Sequence, residues 1–223
     1  MVAEAEFWTA VTTGDSDAVA SMVSAAPALA GLRRGGVSAI LLAQYHHKPG
    51  VVAVLRPRVP PLDIFEASAL GDGARVRALL DADPSLANAV AVDGFGPLGL
   101  ASFFGREPVV RLLLERGARV DTPSSNGMKV MPLHSAAASR SVPIARLLLD
   151  RGAPVNARQG DGELGFTPLM EAAYNGQVEM VELLVTRGAD RSLRDRDGNR
   201  AADHARARSH AALAERLERP AWS

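Results

Sequence analysis

Apolar residues along this chain come in two alternating kinds of block. One is a leucine run closed by a glycine: LLLERGARVD (Leu112 to Asp121), LLLDRGAPVN (Leu147 to Asn156) and LLVTRGADRS (Leu183 to Ser192) superpose without gaps. Their glycines, Gly117, Gly152 and Gly188, lie 35 and 36 residues apart. The other block precedes each run and is rich in alanine: GPLGLASFFG, MPLHSAAASR and TPLMEAAYNG. Each unit therefore predicts a turn, a short Ala-rich helix, a loop and a Leu-rich helix. Pro97, Pro132 and Pro168 suit the first turn of a helix, and the glycine after each leucine run suits a left-handed C-cap. Self-similarity at this period marks a stack of repeats, in which neighbours bury one continuous core.

The stretch from Thr167 to Asp190, TPLMEAAYNGQVEMVELLVTRGAD, resembles the ankyrin repeat family. The resemblance is strongest over residues 94–190 and keeps register outside them. Aligning on the Pro-Leu position gives Glu6–Phe7, Ala39–Ile40, Asp63–Ile64, Pro97–Leu98, Pro132–Leu133, Pro168–Leu169 and Ala201–Ala202. The steps are 33, 24, 34, 35, 36 and 33 residues. The resemblance implies an all-α fold: an α-solenoid of stacked helix-turn-helix repeats with short β-hairpin fingers, about seven helix pairs including degenerate caps. It implies one domain over residues 1–223. Residues 1–35 form an N-terminal cap, 36–58 a truncated repeat, 59–197 the core repeats and 198–223 a C-terminal cap. Two steps depart from the family pattern. The 24-residue step, with Pro57, Pro60 and Pro61 in it, leaves the finger between the second and third pairs largely missing. The steps of 35 and 36 lengthen the fingers at SSNGMKV (Ser124 to Val130) and QGDGELG (Gln159 to Gly165).

In this family the first helix of each pair lines a concave face. The dipeptides before the inter-helix loop then include Tyr45–His46, Phe103–Phe104, Ala138–Ser139 and Tyr174–Asn175, with Glu66 and Glu171 three residues before their own dipeptides. Helical spacing sets those acids on the same side. The expected partner-binding set is Tyr45, His46, Glu66, Phe103, Phe104, Ser139, Glu171, Tyr174 and Asn175. Aromatic rings with scattered acids suit a protein-binding patch, because Tyr and Phe bury much area at little entropic cost. The alternative for Phe103 and Phe104 is that they fill space between adjacent inner helices.

Composition narrows the chemistry. The chain of 223 residues has 25 basic and 25 acidic side chains and no cysteine. Zero cysteine excludes disulfides, thiolate metal sites and a cysteine nucleophile. Balanced charge gives no basic surface for nucleic acid, and no apolar run reaches the ~20 residues of a membrane span. The start, MVAEAEFW, lacks the basic-then-apolar order of a secretory signal. Abundant alanine with arginine over lysine fits a GC-rich bacterial coding bias. The expectation is a cytoplasmic protein, monomeric, with a protein partner and no nucleic acid, membrane or cofactor.

No GxSxG, HExxH or P-loop pattern occurs in the chain. His134 occupies the PLH position, where the family's histidine bridges finger and helix, although Met131 stands where the family has threonine. Adjacent His46 and His47 point ~100° apart on a helix, poor geometry for one metal. DRDGN (Asp195 to Asn199) begins like a calcium loop but continues with Arg200 and reaches Arg206 at the twelfth position; it reads as an Asp-Gly turn. No catalytic residues and no metal site are expected. The leading reading is a non-catalytic protein–protein interaction module, using the concave face and fingers. The alternative is a small-molecule-binding protein or enzyme, its pocket opened by the missing finger and ringed by Tyr45, His46, Asp63, Glu66 and Phe103. A self-associating structural protein is the third.

Overall fold

The computed structural model describes residues 2–160 and 165–219. Seven antiparallel helix pairs follow one another. They are α1 (Val2–Thr13) with α2 (Ser16–Ala25), α3 (Ala39–Tyr45) with α4 (Pro49–Leu55), and α5 (Ile64–Leu70) with α6 (Gly73–Ala82). Next come α7 (Pro97–Phe103) with α8 (Glu107–Glu115), and α9 (Pro132–Ala138) with α10 (Val142–Asp150). The last are α11 (Pro168–Tyr174) with α12 (Val178–Thr186), and α13 (Ala201–Ala207) with α14 (Ala211–Glu218). Each odd-numbered, inner helix packs on the inner helix of the next pair, from α1 through α13. The fold is an all-α solenoid of repeats.

The repeat register is written in alanine. Counting four residues on from the Pro-Leu proline position gives Ala10, Ala43, Ala67, Ala101, Ala136, Ala172 and Ala205, all buried. A methyl group at that point lets successive inner helices approach closely. One position past the proline stand Phe7, Ile40, Ile64, Leu98, Leu133, Leu169 and Ala202, which are buried too. The outer helices contribute Leu113, Leu148 and Leu184, each with no exposed surface.

Side chains also tie one repeat to the next. Arg106 Nε donates to the Ala69 carbonyl at 3.0 Å, and Gln177 Nε2 to the Ala137 carbonyl at 2.8 Å, so carbonyls at inner-helix ends are satisfied from the following repeat. At the outer seam, Asn88 donates Nδ2 to the Gly117 carbonyl at 3.0 Å and accepts from Arg119 N at 2.8 Å. Asn156 repeats this staple with the Gly188 carbonyl and Asp190 N. The register between them holds Asp121 facing the place of Pro154. A carboxylate has no N–H to donate and proline has none for it to accept, so the staple cannot form there.

The fingers differ from the expected hairpins. The strand pair among the described residues is β1 (Arg33–Arg34) with β2 (Val37–Ser38), in the first finger. The later fingers close on single backbone bonds, Ala91 N to Phe95 O, Ser124 N to Val130 O, Gln159 N to Phe166 O and Asp195 N to Asn199 O. The fingers also pair with their neighbours: Ser125 N donates to Gly94 O and Gly160 N to Met128 O, both at 2.8 Å; of the lengthened finger at 159–165, residues 161–164 lie outside the described residues. Gly94 needs its left-handed φ of 88°, and a β-carbon there would stand 2.6 Å from Asn126 N. Between the second and third pairs, residues 56–63 make a tight turn, with Arg58 N and Val59 N donating to Leu55 O. Arg33 of the first finger spans that gap, donating to Asp63 and Glu66 at 3.0 Å each. The gap also brings finger tips together, since a β-carbon on Gly36 would stand 2.7 Å from Val92 Cγ1.

Leu148→Ala is expected to cost about 2–5 kcal/mol, the usual range for truncating a fully buried leucine. Urea unfolding measures it; a loss below about 0.5 kcal/mol contradicts the register.

Candidate functional site

Inner helices and fingers together line a groove of about 410 Å³, largely apolar, over α7 and α9. Its walls are Tyr45, Phe95, Leu100, Phe103 and Ala138, with Met128, Val130 and Gln159 from the fingers and His134 and Ser135 at its base. Phe103 remains 38% exposed and Met128 54%. Met128 sits at the tip of the lengthened fourth finger.

The aromatic rings expected on the concave face divide into two kinds. Phe103 and Tyr174 are exposed. Phe104 is half-buried, 5.5 Å from the Tyr45 ring and 5.1 Å from that of Phe103. Phe104 and Tyr45 pack, with Phe65, Phe95 and Val37, on a small apolar cluster of Leu41, Ala69 and Leu100. The space-filling alternative thus describes Phe104. Tyr45 reaches across the gap of the missing finger and donates its hydroxyl to Asp93 Oδ2 at 2.8 Å. Burial, then that bond and the Asp93 charge, push its phenol above the usual range.

Five other expected site residues stand differently from the sequence reading. Glu66 is buried, not open to the concavity. It is the third residue of a capping box, bonding the Asp63 N–H while Asp63 accepts from Glu66 N. Ser139 turns into the stack and donates to Ser102 O at 2.8 Å. Glu171 and Asn175 bond each other at 2.7 Å, and burial raises the Glu171 pKa against that bond. His46 is exposed at the end of α3 and outside the groove. The ring imagined around the missing finger therefore does not converge. Asp63 and Glu66 hold Arg33, Tyr45 and Phe103 face the groove, and His46 points elsewhere.

His134 is 1% exposed, with Nε2 3.0 Å from the Phe166 carbonyl of the next finger. A carbonyl only accepts, so Nε2 carries the proton. Nδ1 has no partner among the described residues, where Met131 replaces the family's threonine hydroxyl. Burial lowers the His134 pKa to about 4, against the Phe166 and Ala157 backbone, which favour the charged form.

One cluster escaped the sequence reading. His204 Nε2 lies 2.6 Å from Asp195 Oδ2, and the imidazole packs 4.8 Å from the Phe166 ring. Burial opposes ionisation of Asp195. The N–H groups of Asn199 and Asp197, with His204, nevertheless hold its carboxyl below the usual range. The DRDGN turn thus anchors the last pair to the fifth finger. No group of three or more His, Asp or Glu suited to a metal occurs among the described residues. In the same range no helix is long and apolar enough to cross a membrane.

The family model of Ankyrin repeats (3 copies) matches residues 64–159 and 120–195, together more than half of the chain. The chain belongs to the ankyrin repeat family. Among curated relatives, the Ankyrin repeat and SAM domain-containing protein 6 of Mus musculus is 41% identical over 63 residues, 28% of this chain and 7% of that protein. The Probable E3 ubiquitin-protein ligase XBOS31 of Oryza sativa subsp. japonica is 43% identical over 76 residues, 34% of this chain and 17% of that protein. The chain thus spans only a small part of the length of these relatives.

A histidine whose folded pKa is depressed stabilises the fold above its unfolded pKa of about 6.5 and loses that contribution as pH falls toward 4. The expected slope in this window is up to about 1.4 kcal/mol per pH unit. His134→Gln should lower stability at pH 7 and flatten the slope between pH 6.5 and 4.5, as read by urea melts. An unchanged slope removes His134 as its source.

Proposed function

We propose that this protein is a non-catalytic interaction module that holds a protein partner on its concave face and finger tips. Ankyrin repeats generally serve protein–protein interaction, and the groove gives that role a place here. The observation that carries the reading is the pair of exposed apolar side chains, Phe103 and Met128, at the edge of an open apolar groove. Ala138–Ser139 fills the register of Phe103–Phe104 one repeat later with small residues. Packing therefore does not require a large ring at that position, and one left half in water suits an anchor for a partner. Tyr174 extends the surface one repeat further. Tyr45 lines the groove, and Phe104 packs behind it against Tyr45 and Phe103. The scattering of Asp63, Glu66 and His46 gives the enzyme alternative no assembled acid and base. In this reading the chain acts as one domain, as a cytoplasmic monomer.

The test compares proteins retained from a lysate of the source organism by the wild type, by Phe103→Ala with Met128→Ala, and by the outer-helix control Arg146→Ala. The expected result is a set of proteins held by wild type and control and lost from the groove variant, at matched melting temperatures. Loss of an anchor ring typically costs about 2 kcal/mol of binding. Full retention by the groove variant refutes the concave site. Phe104→Ala, by contrast, should lower the melting temperature, because that ring is packed.

A further inference from the structure

We propose that the C-terminal half of the concave face recognises an acidic segment of extended peptide, with one apolar side chain of that segment seated in the groove beside Phe103. The proposal rests on the concave-face reading and names the chemistry of its partner.

Two guanidinium groups converge on one dipeptide. Arg140, in the loop after α9, donates Nη2 to the Asn175 carbonyl at 2.6 Å. Arg208, at the end of α13, holds Cζ 4.7 Å from the centre of the Tyr174 ring. Tyr174 and Asn175 close α11, between these two repeats. Both arginines and Tyr174 are exposed. Among the described residues neither arginine is paired with a carboxylate, whereas Arg116, Arg187, Arg200 and Arg206 all are. Arg140 takes a left-handed φ of 59° at the loop position that is Gly14, Gly71, Gly105 and Gly176 in four other repeats and His47 and Ser209 in the remaining two.

Nearby acids are already engaged. Glu171 accepts from the Asn175 amide, and Asp195 is held by His204. Two exposed guanidinium groups thus flank an exposed ring, and neither has a carboxylate partner among the described residues. An arginine fork matches a carboxylate in shape as well as sign.

The spacing completes the argument. The groove is walled by Ala138 of α9, and the arginine pair straddles the end of α11, the next inner helix. Packed helices lie about 8–10 Å apart, and extended chain advances about 3.3 Å per residue. Ala138 lies one inner helix before α11 and Phe103 two, so the apolar anchor and the acid should be about three to six residues apart.

The experiment selects random linear peptides by phage display on the intact chain. Enriched peptides are then measured by fluorescence anisotropy against wild type, Arg140→Glu with Arg208→Glu, and Phe103→Ala. Circular dichroism checks each fold, and Arg208→Glu alone serves if the double variant fails to fold. The expected peptides carry Leu, Ile, Phe or Met about three to six residues from Asp or Glu. Their binding should weaken roughly tenfold or more on charge reversal, fall with added salt, and recover on the reversed variant when the peptide acids are changed to lysine. Neutral or basic consensus peptides, or indifference to charge reversal, overturn the acidic specificity; the groove reading then survives only if Phe103→Ala still abolishes binding. Peptides weakened by charge reversal but not by Phe103→Ala overturn the proposal as well as the groove as anchor. No enrichment, or equal binding of single-stranded DNA, also overturns the proposal.

Discussion

The structure depends on how closely its inner helices can approach. Ala10, Ala43, Ala67, Ala101, Ala136, Ala172 and Ala205 stack along the molecule at one register, each buried. A larger side chain at any of them forces its neighbours apart, because close-packed interiors have no room to absorb extra volume. Close approach brings Arg106 and Gln177 within reach of the preceding helix ends. It also sets neighbouring fingers near enough to share backbone bonds, as Gly160 N does with Met128 O. Alanine buries little area, so the leucines of the outer helices supply most of the apolar driving force. Narrow inner contacts and broad outer ones give the stack its concave side.

The missing finger shows how that geometry tolerates a deletion. Every other step places a finger between adjacent repeats; this one places a proline-rich turn. Arg33 crosses from the first finger to the Asp63–Glu66 capping box, and Tyr45 crosses the same gap from the end of α3 to Asp93. The apolar cluster beneath Phe104 fills the remaining space. A gap that reads in sequence as an opening is closed by three side chains from neighbouring repeats.

That contrast explains what was legible in the sequence. Helix starts at Ala39, Pro97, Pro132 and Pro168 follow from the repeat register, because the phase is set by local signals, proline and capping residues. The third inner helix begins one residue after its capping Asp63. The same register placed Phe103 and Tyr174 on the concave side. It did not reveal that Glu66 would pair with Arg33, or that Ser139 would turn to Ser102. Register states which side of a helix a residue occupies, while its partners come from residues 30 to 40 positions away. The Asp195–His204 pair was missed for a related reason: a carboxylate nine residues upstream becomes a neighbour only once the Asp-Gly turn folds back.

The unstapled seam at Asp121 and Pro154 has a mechanical consequence. Asn88 and Asn156 clasp the seams on either side of it, each tying two repeats across the back of the molecule. The seam without that clasp lies between the fourth and fifth repeats, behind the groove over α7 and α9. A hydrogen bond contributes about 1 kcal/mol net, so of these three seams the one behind the groove forgoes about that much per missing bond in holding the convex side shut.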